Sequence, residues 1–472
     1  GGGGAPSSTG GVAEVEDYER TTKSRIINNA LHRTSFLMAS SLSMVMFAPL
    51  PTLTKHLQLS SPSSSSSSSS SPPQARAIRI LSILSAISAS IELLLSPLVG
   101  SIIDDYGRKL PASMLMSLIS LSNMYASIRP GAFGVYLSRT TNVLGGGFAM
   151  IITNAIVADL YGTSGGNGSG NGGVDDGDGT RMGSVLGTQA ACASLGFLLG
   201  SAIGGRLTDI DERYAYGACS LLSALATANV ALRMPESSDL LGTRMTGGGK
   251  ERSGTSKDDC DCDDDEEIVV ASGLGTRLVE APLSSVRLLY RYGSRMRTLS
   301  ALLLLQSIPM YMGDVFQLFA REEWGLRPKE FANLVALFGI LGIVSNVSVP
   351  AVLGSIGMRS FSLLATFSSL LFPLSTLLAD SYRSVVAAGC LGMLGNAQKL
   401  GTNAAMASLA TELGLPQGRL QGEKASMLAL LKIGSPIIYG MLYLRGKAWS
   451  IGDGSAIGEV GGADRDWSDV VM

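Results

Sequence analysis

The sequence has few charged residues and almost no histidine, and each shortage excludes a class of protein. Asp, Glu, Lys and Arg make up 16% of the 472 residues, against roughly 25% in ordinary soluble domains. The net charge is −2, and a nucleic-acid surface needs clustered Lys and Arg, so no nucleic-acid partner is expected. The two histidines, His32 and His56, lie outside the centre of the expected bundle and provide no proton relay.

Cysteines are also few, and no catalytic constellation is present. The five cysteines, at 192, 219, 260, 262 and 390, form no CxxC pair and no disulfide framework. No nucleophile, base and oxyanion set is apparent, so the chain is not expected to be an enzyme. Cys260 and Cys262 lie among carboxylates that would suit a soft metal, but an acidic disordered linker is the favoured interpretation. We expect no cofactor and no metal.

Long apolar segments dominate the chain once its polar inserts are set aside. About 20 consecutive apolar residues cross the roughly 30 Å hydrocarbon core of a bilayer as one helix. The sequence predicts eleven such spans, at about 34–54, 79–103, 110–128, 132–158, 182–205, 213–233, 298–319, 330–354, 360–379, 383–410 and 424–444. This pattern indicates an all-α, multi-pass protein in the lipid bilayer.

Polar stretches divide this predicted membrane protein into segments. We expect a disordered cytoplasmic arm, an N-terminal half of six spans, an acidic cytoplasmic linker, a C-terminal half of five spans and a polar tail, at 1–33, 34–236, 237–297, 298–444 and 445–472. Polar inserts interrupt the N-terminal half at 56–78 and 162–180. We expect no cleavable signal before the first span. No run of about 17 apolar residues follows Leu444, so a twelfth span is expected to be missing.

Lys and Arg are more frequent in the loops on the N-terminal side of the membrane, which predicts that this side is cytoplasmic. The 104–109 turn, the 162–181 insert and the 237–297 linker would lie there too. Asn167-Gly-Ser169 is a glycosylation acceptor by sequence. We expect Asn167 to stay unmodified in cells, and mass-spectrometric detection of a glycan there would reverse the orientation.

The turn between the second and third spans contains residues with definable physical roles. Gly100 would let the second span lie close to a neighbouring helix, and Gly107 would permit a tight turn. Asp104 suits the N-terminus of a helix in the opposite half, where its charge meets the positive end of the dipole. Arg108 and Lys109 would face lipid phosphates or carboxylates. An ordinary charged hairpin is the alternative.

The pattern Gly-x-x-x-Asp-x-x-Gly-Arg-Lys at 100–109 resembles the signature loop of the major facilitator superfamily of secondary transporters. The resemblance implies that this loop latches the cytoplasmic gate closed when the transporter faces outward. The family usually has Arg directly after the Asp, where this chain has Asp105. The usual ion pair with the carboxylate ending the fourth span, here Asp159, would then have to come from Arg108.

A second resemblance lies in the fifth span. Its glycines match the pattern found in the antiporters of the superfamily, with Ser201 in place of the usual Pro: Gly187, Gly196, Gly200, Gly204 and Gly205. Spacings of four place three of them on one helix face, a groove that another helix can enter. The resemblance implies antiport, whereas glycine-rich packing in an arbitrary membrane helix is the alternative.

A third resemblance lies late in the chain. The segment 416–422 and the glycines and proline of 434–440 are similar to the eleventh span of the tetracycline-resistance-like branch, which includes the hippocampus-abundant-transcript proteins. This resemblance implies that Arg419 lies at the cytoplasmic start of a helix, near Asp104. The chain is identified as a member of the superfamily, whose plan is two six-helix halves.

Ionisable and amide side chains inside spans are costly to bury and are functional candidates. The candidates for solute or proton binding are Glu92, Arg139, Gln306, Asp314, Gln317, Asn396, Lys399 and Asn403. Their spacings place the seventh-span members on one helix face and the tenth-span members on another. For each residue, a structural ion pair is the alternative. Arg139 resembles the Arg of a fourth-span family motif, although Asn142 and Val143 depart from it.

These observations predict a transporter that moves a small organic solute by alternating access. Proton-coupled antiport is the expected mode, with Glu92 or Asp314 as the titrating group and Arg139 as the opposing charge. The transporting unit is expected to be a monomer. An uptake carrier by symport or facilitated diffusion is one alternative, and a membrane receptor or scaffold without transport activity is another.

Overall fold

The protein is all-helical wherever its structure is described. The computed structural model describes residues 10–60, 73–161, 176–235, 287–309, 316, 319, 328–378 and 382–453, and no β-strand occurs among them. In chain order the helices are α1 (Gly10–Met44), α2 (Pro49–Ser60), α3 (Pro73–Tyr106), α4 (Lys109–Ile128), α5 (Ala132–Tyr161), α6 (Asp176–Ile210), α7 (Glu212–Arg233), α8 (Gly293–Ser307), α9 (Pro328–Leu377), α10 (Tyr382–Leu391), a 3₁₀ turn (Met393–Ala397), α11 (Gln398–Glu412) and α12 (Gln417–Asp453).

Six helical stretches among the described residues are long and apolar enough to cross a membrane. They are Thr22–Leu59, Ile83–Tyr106, Ala132–Leu160, Gly183–Ile210, Glu212–Arg233 and Lys329–Gly357. The prediction of an all-α, multi-pass membrane protein is therefore confirmed. Several predicted features lie outside the described residues, namely Cys260, Cys262, Asn167, Asp314, Gln317 and most of the linker, the inserts and the tail.

The helices extend beyond the apolar segments that predicted them. α1 begins at Gly10, inside the arm expected to be disordered, and α12 runs from Gln417 to Asp453 rather than 424–444. Hydropathy marks the part of a helix that lipid surrounds, whereas backbone hydrogen bonding continues into the polar ends. α9 contains both the eighth and ninth predicted spans, separated at Gly357, where φ is 74° and ψ is 165°.

Two antiparallel helix pairs join the N-terminal half, taken here as residues 10–235, to the C-terminal half, residues 287–453. α3 packs along α12, where Ser426 Oγ donates a hydrogen bond to the Leu93 carbonyl at 2.8 Å. α6 packs along α9, and Gly339 lies against the backbone of Leu198. Close backbone approach through small residues is typical of membrane helices, which have no hydrophobic force between them.

The two ends of the bundle are closed by different chemistry. At the first end, which we call the Asp104 end, Gly107 turns the chain from α3 into α4 with φ +81°, a value that favours glycine. At the opposite end, which we call the Phe47 end, an apolar cluster joins the halves. There the Phe47 and Phe331 rings meet edge to face with centroids 6.1 Å apart.

Candidate functional site

At the Asp104 end, a carboxylate from one half caps a helix of the other. The Asp104 Oδ1 accepts a hydrogen bond from the Gly418 N–H at 3.0 Å, and its Oδ2 accepts one from the Arg419 N–H at 2.8 Å. The first N–H groups of α12 have no partner within the helix, and they lie at the positive end of its dipole. The contact therefore joins α3 to α12 with both hydrogen bonding and charge.

This capping contact depends on a close approach of two backbones. A Cβ on Gly100 would overlap the carbonyl oxygen of Gly418 and would lie 3.2 Å from the Gly422 Cα. Neither obstacle is a flexible side chain, so the helices would have to separate. Gly100 therefore sets the distance at which Asp104 can reach α12.

Arg108 forms the second contact at this end. Its Nη1 is ion-paired with the Asp159 carboxylate at the end of α5 and donates to the Ala155 carbonyl at 2.7 Å. Arg108 thus makes the ion pair that the family resemblance assigns to the residue after Asp104, where this chain has Asp105. The guanidinium is buried, with 7% of its side chain exposed. Lys109 begins α4 beside it and is partly exposed.

We call the contact of Asp104 with the start of α12 the latch. Two residues near it were not identified from the sequence. Glu423 is buried one turn after Arg419, and its Oε1 accepts from Arg419 Nε at 3.3 Å. The Tyr292 hydroxyl donates to the same oxygen at 3.3 Å. The spacing of four between Arg419 and Glu423 was a signal for this pair, but Tyr292 has no local pattern that points to it.

Asp104→Asn should weaken the latch, because asparagine has the size of aspartate but no negative charge. The charge term at a helix N-terminus is worth roughly 0.3–1 kcal/mol when exposed and up to about 2 kcal/mol when partly buried. We therefore expect a cysteine placed at Ser426, behind the latch, to be labelled roughly twofold to thirtyfold faster from the Asp104 side. Asp105→Asn is the matched charge control. Equal labelling of wild type and Asp104→Asn would show that Asp104 does not hold this end closed.

In the middle of the bundle, an ion pair joins the two halves. The Lys432 Nζ lies 2.6 Å from one Glu92 oxygen and 2.7 Å from the other. Glu92 is 1% exposed. At 1.5 Å per residue along α3, Glu92 lies about 18 Å from Asp104, which is near the middle of a bilayer whose hydrocarbon is about 30 Å thick.

The cation that holds Glu92 differs from the one expected. The sequence suggested Arg139 as the opposing charge, but Lys432 forms the ion pair, whereas Arg139 Nη2 donates to Ser85 Oγ at 3.4 Å. Glu92 is also fixed from a third helix, because a Cβ on Gly147 of α5 would overlap its carboxylate. Glu92 and Lys432 are 340 positions apart, so the spacing of residues within one helix could not predict that they pair.

Gln306 is the centre of a polar network inside the C-terminal half. Its backbone carbonyl accepts a hydrogen bond from Gln398 Nε2 at 2.7 Å. Its side-chain Oε1 accepts one from Thr402 Oγ1 at 3.0 Å, and its Nε2 donates one to Thr366 Oγ1 at 3.3 Å. Gln306 therefore connects α8 to α9 and α11. Its predicted partners on the same face, Asp314 and Gln317, lie outside the described residues.

The tenth-span candidates lie on α11 and the turn before it. Lys399 and Asn403 are four residues apart, and the Asn403 Oδ1 accepts a hydrogen bond from Lys424 Nζ of α12 at 3.2 Å. Asn396, in the 3₁₀ turn, lines a largely apolar cleft of about 240 Å³ with Phe338 and other side chains of α9. The structure thus brings Asn403 and Lys424 together at the interface of α11 and α12.

The α6 glycines pack against two different helices. Gly196, Gly200 and Gly204 lie against α1, where a Cβ would meet Phe36, Ser40 or Met44. Gly187 lies against the Asn346 carbonyl of α9, and Gly205 is buried. The regular spacing therefore fits α6 into α1, while its first glycine belongs to the contact between the halves.

The sequence of the protein is similar to known transport proteins. The family model described as Major Facilitator Superfamily matches residues 34–430. Multidrug resistance protein 1 of Bacillus subtilis (strain 168) is 22% identical over 359 residues, which cover 75% of this chain and 77% of that protein.

Solved structures share the fold at low sequence identity. The human organic anion transporter MFSD10 (TETRAN) superposes with a TM-score of 0.64 and 14% identity over 88% of this chain and 92% of that one. The proton:xylose symporter XylE bound to 6-bromo-6-deoxy-D-glucose superposes with a TM-score of 0.59 and 13% identity over 91% and 90%. These structures share the fold, and the family match over most of its length shows that the chain belongs to the Major Facilitator Superfamily.

Proposed function

We propose that the protein is a secondary active transporter that moves a small organic solute across a membrane by alternating access, coupled to protons. Membrane transport is the activity of the family, and a multidrug resistance protein is among its sequence relatives. Both halves and both closed ends belong to one chain, which supports a monomeric transporting unit. The tetracycline-resistance-like branch is our assignment within the superfamily, and it rests on the pattern at 416–440.

The Glu92–Lys432 ion pair is the observation that carries proton coupling. It is a contact between α3 and α12 near mid-membrane, and one partner is a carboxylate. A proton on Glu92 removes the charge that holds Lys432, which weakens the junction between the halves. Deprotonation restores it. Protonation and the relative position of the halves are thus linked through one side chain.

The Asp104 end is assigned to the cytoplasm, in keeping with the distribution of Lys and Arg. Asp104 capping α12 would hold this end closed while the transporter faces outward, and the Arg108–Asp159 pair, which lies within the N-terminal half, would hold the turn that carries Asp104. The Phe47 end would then be the external gate, closed by the edge-to-face contact of Phe47 and Phe331. Alternating access requires that these two sets of contacts break in turn.

Antiport and symport are the two directions of coupling. Antiport is supported by the glycine pattern of α6. Symport is supported by Lys432, because protonation of Glu92 would release a cation to which a solute of opposite charge can bind. XylE, which shares the fold, is named a proton:xylose symporter.

Transport into proteoliposomes tests this function. Purified protein is reconstituted, and a panel of radiolabelled organic solutes is offered with and without an imposed pH gradient. We expect at least one solute to accumulate with the gradient and not without it. Accumulation independent of the gradient would indicate a facilitative carrier. No uptake of any solute would favour a receptor or scaffold.

A further inference from the structure

The first turn of α12 contacts two different parts of the chain. Its backbone N–H groups at Gly418 and Arg419 bind the Asp104 carboxylate of α3, in the N-terminal half. Its side chains contact residues 287–292, the stretch that immediately precedes α8 in the C-terminal half. The turn that receives Asp104 is therefore also held by its own half.

Glu423 connects this stretch to Arg419. The Glu423 Oε1 accepts a hydrogen bond from the Arg419 Nε at 3.3 Å and another from the Tyr292 hydroxyl at 3.3 Å. Only 3% of the Glu423 side chain is exposed, against 34% of the Arg419 side chain. Water therefore competes little for the Glu423 oxygen, which fixes an arginine that would otherwise turn toward solvent. We call the contacts among Tyr292, Glu423 and Arg419 the brace.

Apolar packing holds the same stretch against α12. Leu288 is fully buried, in a cluster that includes Leu420 and Met427 of α12. The Tyr292 ring packs against this cluster. Because Leu420 directly follows Arg419, the stretch contacts α12 at the turn that Asp104 caps.

A second tyrosine in this stretch makes a different contact. Tyr290 is 71% exposed, and the Arg297 guanidinium lies over its ring, 5.8 Å from the centroid. Its hydroxyl has no hydrogen-bond partner among the residues that the structure describes. Tyr290 and Tyr292 are thus a matched pair, of which Tyr292 binds Glu423.

We propose that Tyr292 and Glu423 are positioning residues of the gate at the Asp104 end. They hold Gly418 and Arg419 in the conformation that Asp104 binds. The inference rests on the proposed function, because it takes the latch to be a gate. It adds to the gate a chain segment that comes directly before α8 and does not touch Asp104.

The brace acts on the latch by ordering its receiving surface in advance. The ends of helices fray unless other contacts hold them. A carboxylate that binds a frayed turn must also order it, and this entropic cost weakens the contact. The Arg108–Asp159 pair holds the turn that carries Asp104, and the brace holds the turn that receives it. Loss of the brace should therefore weaken the latch although Asp104 is unchanged.

Cysteine labelling in a double-mutant cycle tests the inference. In a background without native cysteines, a reporter cysteine is placed at Ser426, behind the latch, or at Ser43, which is 2% exposed and four residues before Phe47. Tyr292→Phe removes only the hydroxyl. We expect it to raise labelling at position 426 from the Asp104 side at least roughly twofold. Labelling at position 43 from the Phe47 side should fall, because the two open states compete for one population.

The cycle separates positioning from a general loss of structure. Asp104→Asn already removes the charge that the brace serves, so adding Tyr292→Phe to it should raise labelling at position 426 no further. Tyr290→Phe, the matched control, should leave both reporters unchanged. A variant that merely loosens the protein would raise labelling at both positions.

Hydrogen exchange measures the order of the α12 turn directly. The backbone amides of 418–420 should exchange at least roughly twofold faster in Tyr292→Phe than in the wild type. Tyr290→Phe should leave their exchange unchanged. Mass spectrometry of peptides that cover this turn provides the rates.

The outcomes separate the inference from the proposed function. If Asp104→Asn raises labelling at position 426 and Tyr292→Phe does not, the inference is overturned and the latch stands. Effects that multiply in the double variant, a rise at both reporters or unchanged exchange at 418–420 also overturn it. If neither variant changes labelling, the latch and the inference both fail, while gradient-driven uptake into proteoliposomes still decides whether the protein transports.

Discussion

Replacing Glu92 by glutamine should abolish transport driven by a pH gradient while leaving exchange of solute at equal pH measurable. Glutamine keeps the size of the side chain and removes the group that gains and loses a proton. The Lys432 ammonium, which lies 2.6 Å from Glu92, would then face a neutral amide throughout the cycle. Gradient-driven uptake and equal-pH exchange, measured in the same proteoliposomes, separate coupling from solute binding.

Controls must separate coupling from folding, because removing one partner of a buried pair costs about 3–5 kcal/mol. Glu92→Gln/Lys432→Gln removes both charges and should restore stability without restoring the gradient-driven component. Asp314→Asn tests the second carboxylate that the sequence suggested. If Glu92→Gln and Asp314→Asn both keep full gradient-driven transport, proton coupling loses its mechanism and a facilitative carrier becomes the better account.

Arg108→Gln should destabilise the protein by about 3–5 kcal/mol, the cost of breaking a buried ion pair. The variant leaves the Asp159 carboxylate buried, with 8% of its side chain exposed, and without its guanidinium partner. It also removes the hydrogen bond to the Ala155 carbonyl. The free energy of unfolding, measured by denaturant titration in mixed micelles, reports the loss.

An ion pair between an exposed lysine and a buried glutamate at the Phe47 end provides the control. Lys55 Nζ lies 2.6 Å from Glu212 Oε2, but 61% of the Lys55 side chain is exposed. Only 9% of the Glu212 side chain is exposed, but the exposed lysine leaves solvent on one side of the pair, so Lys55→Gln should lower the free energy of unfolding by less than Arg108→Gln does. Arg108→Gln/Asp159→Asn, in which neither charge remains, should recover much of the loss. If Arg108→Gln lowers the free energy of unfolding no more than Lys55→Gln does, Arg108 does not stabilise the Asp104 end.

The helices and the turn at the Asp104 end could be predicted from the sequence because both are local. An apolar run of about 20 residues specifies a membrane helix by itself, and Gly107 between two such runs specifies the turn. Helix ends were less predictable, because polar residues such as those of 417–423 continue α12 without contributing to hydropathy. The 3₁₀ turn at Met393–Ala397, which separates α10 from α11, is not marked in the hydropathy of the sequence either.

The pairing of residues across the bundle could not be predicted in the same way. Position inside an apolar span identified Glu92 and Lys399 as candidate charges within the membrane, but position does not say which helix faces them. Lys432 is 340 positions from Glu92, and Gly147 contacts Glu92 from a third helix. Such contacts follow from how whole helices pack, which a single sequence does not encode in its periodicity. Asp104 was placed near Arg419 through family resemblance rather than through spacing.

The movement of protons with solute is the most direct test of coupling through Glu92. Proteoliposomes are loaded with a transported solute and a pH-sensitive dye, and solute efflux is started by dilution at equal pH. The account predicts a change in luminal pH during efflux, acidification for antiport or alkalinisation for symport, which Glu92→Gln abolishes. Solute efflux from wild-type vesicles at constant luminal pH would contradict it.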